Sequence, residues 1–206
     1  MSLWITDMRL IGLLVLFCSS CSLVNEECNS LASNQAGWKD LQEKWADEQI
    51  IMILRHTAKC KDEPGCIDND EFRTDKGRQQ AVDISTGLHR TLGGKYLSFH
   101  SSMTRTRDTA LLAFGNSNPD DGISKPCLPG FNTHVHELPI ATNTILVTHS
   151  SCIDSLTNVD EKRYLGFKSG KDRHFGVAAF FEQHKPDGLR LHGCVWPGDW
   201  SHLPDA

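Results

Sequence analysis

Arg55-His56, Arg105 and His149 stand at three separate points of the chain, and each follows a short run rich in apolar residues. A guanidinium fixes an oxyanion with paired N–H donors, and an imidazole attacks phosphorus or exchanges a proton. Each residue also has a plainer reading. An Arg-His pair can mark a strand end turning to solvent, a lone histidine is more often structural, and an arginine at a helix start is usually a solvated charge. Recurrence at one kind of place shifts the weight towards chemistry. A phosphoryl group needs planar, bidentate donors for its charged oxygens, which arginine supplies better than lysine. Its phosphorus needs a nucleophile, and neutral imidazole can form a covalent intermediate. A second imidazole, when protonated, can hold an equatorial oxygen as charge shifts, and helix N-termini add backbone donors.

The elements that must position these groups are legible as periodicity. Ile50–Leu54 is continuously apolar, which suits a strand covered on both faces of a parallel sheet. The carboxyl ends of such strands are where ligands are handled. Tyr96–Phe99 and Thr144–Val147 read as further strands ending in His100-Ser101-Ser102 and Thr148-His149. Trp38, Leu41 and Trp45 lie at helical spacing. Thr74 or Asp75 caps a helix whose buried face is Ala81, Ile84, Leu88 and Leu92, and Gly93-Gly94 ends it. A helix runs from about Met103 to Phe114, and a shorter one from about Ser151 to Thr157. Phe175–Phe181 and Leu189–Val195 predict two strands joined by a turn at 184–188. The Gly-, Pro-, Asn- and Asp-rich stretch 115–143 predicts mostly loop, as does 61–73, which lacks the ligand alternation of an EF-hand. The charged stretch 160–173 predicts surface. Trp196 to Trp200 either closes one end of the core or stacks on sugar rings. The sum is an α/β protein, a three-layer sandwich with a mostly parallel central sheet.

The chain has 206 residues, enough for one domain with a sizeable core. Net charge is −5 with no block of Lys or Arg, which argues against a nucleic-acid backbone as partner. At the start, Arg9 precedes the apolar run Leu10–Phe17, too short to span a bilayer but matching a secretory signal. Cys18-Ser19-Ser20-Cys21 follows, and cleavage before Cys21 resembles bacterial lipoprotein processing. Residues 1–21 therefore predict a signal peptide with lipidation at Cys21, residues 22–37 a tether, and 38–206 a single domain. The protein is expected in the periplasm, held to the outer membrane only through that lipid. Six cysteines remain: Cys28, Cys60, Cys66, Cys127, Cys152 and Cys194. An even set in an exported protein predicts disulfides rather than zinc, with fifteen pairings open and the close pair Cys60–Cys66 favoured.

The ordered set resembles the histidine phosphatase superfamily, the phosphoglycerate-mutase-like clan. Within it, the chain is most similar to the exported lipopolysaccharide core heptose(II)-phosphate phosphatases. The motifs are Arg55-His56-Thr57-Ala58-Lys59-Cys60, Thr74-Asp75-Lys76-Gly77, Ser101-Ser102-Met103-Thr104-Arg105-Thr106, and Thr148-His149 with Cys152. The resemblance covers residues 50 to about 157 well. It implies a histidine phosphatase-like fold and a metal-independent phosphomonoesterase without cofactor. His56 would accept the phosphoryl group, Arg55 and Arg105 would grip its oxygens, and His149 would complete the pocket. Thr57 would donate to a phosphate oxygen or fill the turn. Lys59 would read substrate charge or remain a surface lysine. Arg107 rivals Arg105, because the spacing from the serine pair is one residue tighter than usual. The general acid would come from Asp120, Asp121 or Glu137, with Glu137 favoured. Cys127 would pair with Cys152, which leaves Cys28 with Cys194. The implied partner is a phosphorylated small molecule or envelope glycan. A non-catalytic phosphate- or glycan-binding envelope lipoprotein is the alternative.

Overall fold

The computed structural model describes residues 28–60, 74–127, 130–139, 141–156, 159–160, 175–184 and 188–205. The expected signal peptide, Cys21, Cys66, the 61–73 loop and most of 160–173 lie outside the described residues.

Helix α1 spans Gln35–Ala46 and strand β1 Ile50–Arg55. Helix α2 covers Asp75–Thr91, β2 Tyr96–His100, α3 Thr104–Phe114 and β3 Asn118–Pro119. Then come α4 over Gly130–Glu137, β4 over Asn143–Thr148 and α5 over Ser150–Ile153. The remaining strands are β5 at Val159–Asp160, β6 at Ala178–His184 and β7 at Gly188–Val195. One sheet takes the order β3-β2-β4-β1-β6-β7-β5. Pairs β3–β2, β2–β4, β4–β1 and β7–β5 are parallel, and only β6 runs against its neighbours.

Period-two alternation on the strands feeds two cores. Ile50, Met52 and Leu54 join Trp38, Leu41 and Trp45 of α1, Ala81, Ile84 and Leu88 of α2, and Ala110 and Ala113 of α3. Ile51 and Ile53 face Phe131 and Val135 of α4 and Cys152 and Ile153 of α5. The expected three-layer sandwich is therefore present. Burying each of the large apolar side chains among these contributes about 1.5–3 kcal/mol, so the central strand is held firmly from both faces. Arg55, at the end of that strand, inherits its rigidity.

Three expectations need correction. The tether predicted over 22–37 is part of the domain from Cys28 onward: Leu31 is buried, Asn34 caps α1 through Gly37 N–H, and Cys28 is bonded to Cys194. Polarity in this stretch reflects capping rather than freedom. The stretch 115–143 holds β3, a 3-10 turn at Asp121–Ile123 and α4. Only two side chains of α4, Phe131 and Val135, are buried, so its apolar stripe is too thin to read as a helix. The strand expected at Phe175–Phe181 begins at Ala178, because Gly176 takes a positive φ of 75° and turns the chain just before it. Trp200 is fully buried against Phe180, at a ring distance of 6.3 Å, which places it in the core rather than on a sugar-binding surface. A Cβ on Gly87 would lie 2.8 Å from Trp200 Cβ, so only glycine lets α2 approach that ring. Disulfides join Cys28 to Cys194 and Cys127 to Cys152. Cys60 is also disulfide-bonded.

Candidate active site

The parallel arrangement brings the ends of β1, β2 and β4 to one edge of the sheet. Arg55 pairs in register with Thr148, and His100 with Val147. The chain beyond each strand stays tied to its neighbour: His56 N–H donates to Thr148 O at 3.1 Å, and Ser101 N–H to Val147 O at 3.1 Å. Arg55, His56, Ser101 and His149 thus converge because their strands are adjacent. Arg105 enters from the first turn of α3.

These charged and polar groups are buried: Arg55 and Arg105 are each 8% exposed, His56 5% and His149 2%. The two imidazole rings lie 5.5 Å apart, edge to face. His56 Nδ1 is 2.9 Å from Thr57 O. A carbonyl can only accept, so Nδ1 carries the proton and Nε2 keeps its lone pair. That tautomer is the nucleophilic one. Its ring is further held by Phe175, 5.4 Å away between centroids, and the same ring lies 3.9 Å beneath the Arg55 guanidinium.

His149 is fixed by a hydroxyl chain. Thr106 Oγ1 donates to main-chain carbonyls at Ser101 and Met103, so Ser101 Oγ donates to Thr106 Oγ1 at 2.7 Å. Ser101 Oγ then accepts from His149 Nε2 at 3.1 Å. His149 Nδ1 is left as an acceptor, facing Arg105 Nη2 at 3.5 Å. With these bonds the second imidazole is neutral, and a phosphate oxygen at Nδ1 would require it to gain a proton.

Electrostatics agree with this geometry. Burial holds His56 well below the usual histidine range, against the Thr57 carbonyl bond; His149, when it is protonated, and the charges of Arg105 and Arg55 add to the lowering. His149 is pushed down to about 3, first by burial and then by Arg105, Lys125 and Arg55.

Second-row residues explain the remaining motif positions. Thr57 is fully buried, and its hydroxyl meets Thr109 Oγ1 at 3.1 Å. Thr109 Oγ1 already donates to Arg105 O at 2.8 Å, so it accepts from both Thr57 N–H and Thr57 Oγ1. Thr57 accordingly couples the β1 end to the turn of α3 that bears Arg105. Of the two roles expected of Thr57, filling the turn is the one these bonds describe. Thr74 caps α2 by accepting from Gly77 N–H at 3.0 Å. A Cβ on Gly77 would lie 2.1 Å from Ala58 O, so glycine is required where the helix start meets the loop after His56. Gln80 accepts from Ala58 N–H at 3.0 Å and donates to Phe175 O at 3.3 Å, bracing the loop and the aromatic together.

Arg105 prevails over Arg107: the latter is exposed and pairs with Asp108 at 3.3 Å. Glu137 does not reach the pocket. It ends α4 beside Gln183, whose Nε2 donates to Val135 O, His136 O and Leu138 O. Gln183 follows Glu182, the partner of Ile50 at the opposite end of β1. The prediction failed because chain order between Arg105 and His149 does not say which end of the sheet α4 points towards. Asp120 is spent on Gly122 N–H and on His134 at 2.8 Å, and Asp121 is exposed in the following 3-10 turn. Lys59 is half-buried beside Ala58 and acts electrostatically on Lys125.

Sequence reasoning missed Gln80, Phe175 and Lys125. Gln80 had a signal, as a polar residue inside the apolar stripe of α2. Phe175 was hidden in an apolar run read as strand, and Lys125 in a stretch read as loop. Among the described residues, no group of three His, Cys, Asp or Glu is placed to hold a metal, and no helix is long and apolar enough to cross a membrane.

No protein-family model matches the chain, and no curated protein sequence matches it. Solved structures do. The protein histidine phosphatase SixA complexed with tungstate aligns with a TM-score of 0.56 at 11% identity, over 73% of this chain and 98% of that one. A mycobacterial hydrolase aligns with a TM-score of 0.50 at 15% identity, over 72% and 98%. At such identities the likeness is one of fold: the chain folds as that protein histidine phosphatase does.

Proposed function

We propose that the protein is a phosphatase of the histidine phosphatase type, a phosphomonoesterase working through a phosphohistidine intermediate. The observation that carries this reading is the His56 tautomer: Nδ1–H is committed to Thr57 O, which leaves Nε2 as a buried, unprotonated nucleophile that feels the charges of Arg105 and Arg55. Arg55 and Arg105 would take the charged oxygens of the phosphoryl group. Attack by Nε2 on phosphorus breaks the bond to the ester oxygen, which takes a proton from solvent as it leaves as the alcohol, and water then attacks the phosphohistidine to release inorganic phosphate and return Nε2 to its unprotonated form. The arriving anion would oppose the charges that depress His149, so His149 Nδ1 would take up a proton and hold an oxygen as charge develops.

The substrate we favour is a phosphorylated envelope sugar, such as a lipopolysaccharide core heptose phosphate. It is supported by the motifs shared with that group and by the signal and lipoprotein-like sequence ahead of Cys21. The disulfides are compatible with export. A periplasmic protein tethered at Cys21 belongs to the same proposal.

The position of Glu137 favours a second reading, a phosphate- or glycan-binding lipoprotein that does not turn its ligand over. The two separate on one assay. Phosphate release from an aryl phosphate is measured for the wild type and His56→Ala, without added metal, from pH 4 to 8. The phosphatase reading expects turnover by the wild type and none by the variant. Phosphate binding that requires Arg55 and Arg105, with no turnover of any phosphomonoester tried, would replace it with the binding protein.

A further inference from the structure

Phe175 touches both of the groups that would act on one phosphorus from the end of β1. The Arg55 guanidinium lies over its face, 3.9 Å from the ring centroid, and the His56 imidazole is 5.4 Å away between centroids, inclined at 43°. The ring is buried, yet among the described residues neither apolar core includes it. Its neighbours Val177 and Ala178 do belong to those cores. The main chain holds the ring in place. Arg55 N–H donates to Val177 O at 3.0 Å and Gly176 N–H to His56 O at 3.2 Å, which carries the pairing of β1 and β6 past the strand end. Gly176 then takes its positive φ, a conformation glycine adopts at little cost, and the turn brings Phe175 to the Arg55-His56 pair. A Cβ on Gly176 would stand 3.4 Å from Pro197 Cγ and 3.6 Å from Thr57 Cγ2, so the turn is enclosed on both sides. Gln80 completes the arrangement by joining Phe175 O to Ala58 N–H.

We propose that Phe175 is a positioning residue, whose ring holds Arg55 and His56 in the mutual orientation in which one grips and the other attacks a single phosphoryl group. The proposal rests on the phosphatase reading of the pocket. Phe175 acts through those two groups and takes no part in bond making. A guanidinium carries its N–H donors in its own plane, so a ring against its face fixes that plane and takes up none of the donors. A carboxylate in the same place would engage those donors and offset the charge. A phenyl ring attracts the cation through its quadrupole and brings no negative charge of its own. The imidazole is served by the same ring from another side. Thr57 O decides which nitrogen of His56 carries the proton, and Phe175 limits the tilt of the ring. Orientation matters here because a misplacement of about 1 Å in a reacting group can cost about 10²-fold in rate. Filling space is the plainer role of a buried phenylalanine, but the ring contacts of this one are a cation and a nucleophile.

The test separates the charge distribution of the ring from its shape. Orthophosphate affinity is measured by calorimetry and aryl-phosphate turnover by steady-state kinetics, on the purified full chain. Three proteins are compared: the wild type, Phe175→Leu, and a protein in which a trifluorinated phenylalanine replaces Phe175. Fluorination keeps the ring and withdraws the electron density that attracts the cation. We expect orthophosphate affinity to fall about tenfold in Phe175→Leu and about threefold with the fluorinated ring, the scale of a desolvated cation–π contact. The fluorinated protein should melt at the wild-type temperature, and its KM should rise by more than its kcat falls. Unchanged or tighter orthophosphate binding with the fluorinated ring would overturn the proposal and assign Phe175 to packing. Full affinity in Phe175→Leu would overturn it as well. In both cases turnover by the wild type leaves the phosphatase reading intact. A folded wild type that neither binds orthophosphate nor turns over an aryl phosphate would overturn that reading, and the proposal with it.

Discussion

Two histidines with buried side chains, one at the carboxyl edge of the sheet and one within β7, sit among charges in different ways. His149 lies at the carboxyl edge of β4, and the charged residues that act on it, Arg105, Lys125 and Arg55, all push in the direction of burial. His192 lies on β7, where it meets Asp40 at 3.2 Å and Glu182 at 3.5 Å. Burial and Arg190 lower its proton affinity, while Asp40 and Glu182 raise it. Glu182 is itself matched by Lys44 at 3.0 Å, His184 at 3.2 Å and Arg190 at 3.6 Å. One cluster balances its charges internally. The other adds charges of one sign around its imidazole. Burial and a depressed histidine occur in both, so neither feature marks a site. The direction in which the neighbours push distinguishes them.

That contrast is broken most severely if the two histidines turn out to be equivalent. His56→Ala is expected to lower aryl-phosphate turnover by about 10³-fold or more, the scale of losing a nucleophile. His192→Gln should change it by less than about threefold. Steady-state kinetics on both variants checks this, and comparable losses would erase the distinction. Next in size, Arg105→Ala should cost about 10²-fold in kcat/KM, since a charge-assisted contact to phosphate is worth about 1.5–3 kcal/mol. Arg107→Ala, exposed and paired with Asp108, should stay within about twofold.

The balanced cluster should answer in stability instead. Glu182→Gln leaves Lys44, His184 and Arg190 facing a neutral amide. We expect about 1–3 kcal/mol of destabilisation by urea melts, with kcat unchanged. An acid effect of similar size belongs to the pocket. His149 has a folded pKa of about 3, below its unfolded value, so above about pH 6.5 both states are neutral and it contributes no pH dependence. As pH falls from about 6.5 towards 3 the unfolded chain binds the proton first, and stability drops by about 2 kcal/mol by pH 5. His149→Asn should flatten part of that slope in thermal melts. The smallest effect sharpens the correction of the general acid: Glu137→Gln, at the far end of the sheet, should leave activity within about twofold.

Much of this was legible in the sequence because short periodic signals coincided with chemistry. The continuous run Ile50–Leu54 announced a central strand, and Arg55-His56 at its end announced the site. The Thr74-x-x-Gly77 pattern had a physical reason, a cap and a close approach, that a sequence can carry. Glu137 could not be placed because position along the chain says nothing of helix direction, and α4 shows only two buried apolar residues. Lys125 was invisible for a different reason. Its place depends on Thr148, Ser102 and Cys152, contacts made across the fold that no local pattern encodes.

The central claim is that His56 Nε2 becomes covalently phosphorylated. The most direct measurement mixes the protein with a phosphomonoester, quenches within the turnover time under alkaline conditions that preserve phosphoramidates, and maps the phosphoryl group by mass spectrometry. The account predicts acid-labile phosphate on His56, absent from His56→Ala. Sustained turnover with phosphate on another residue, or with His56 never modified, would contradict it.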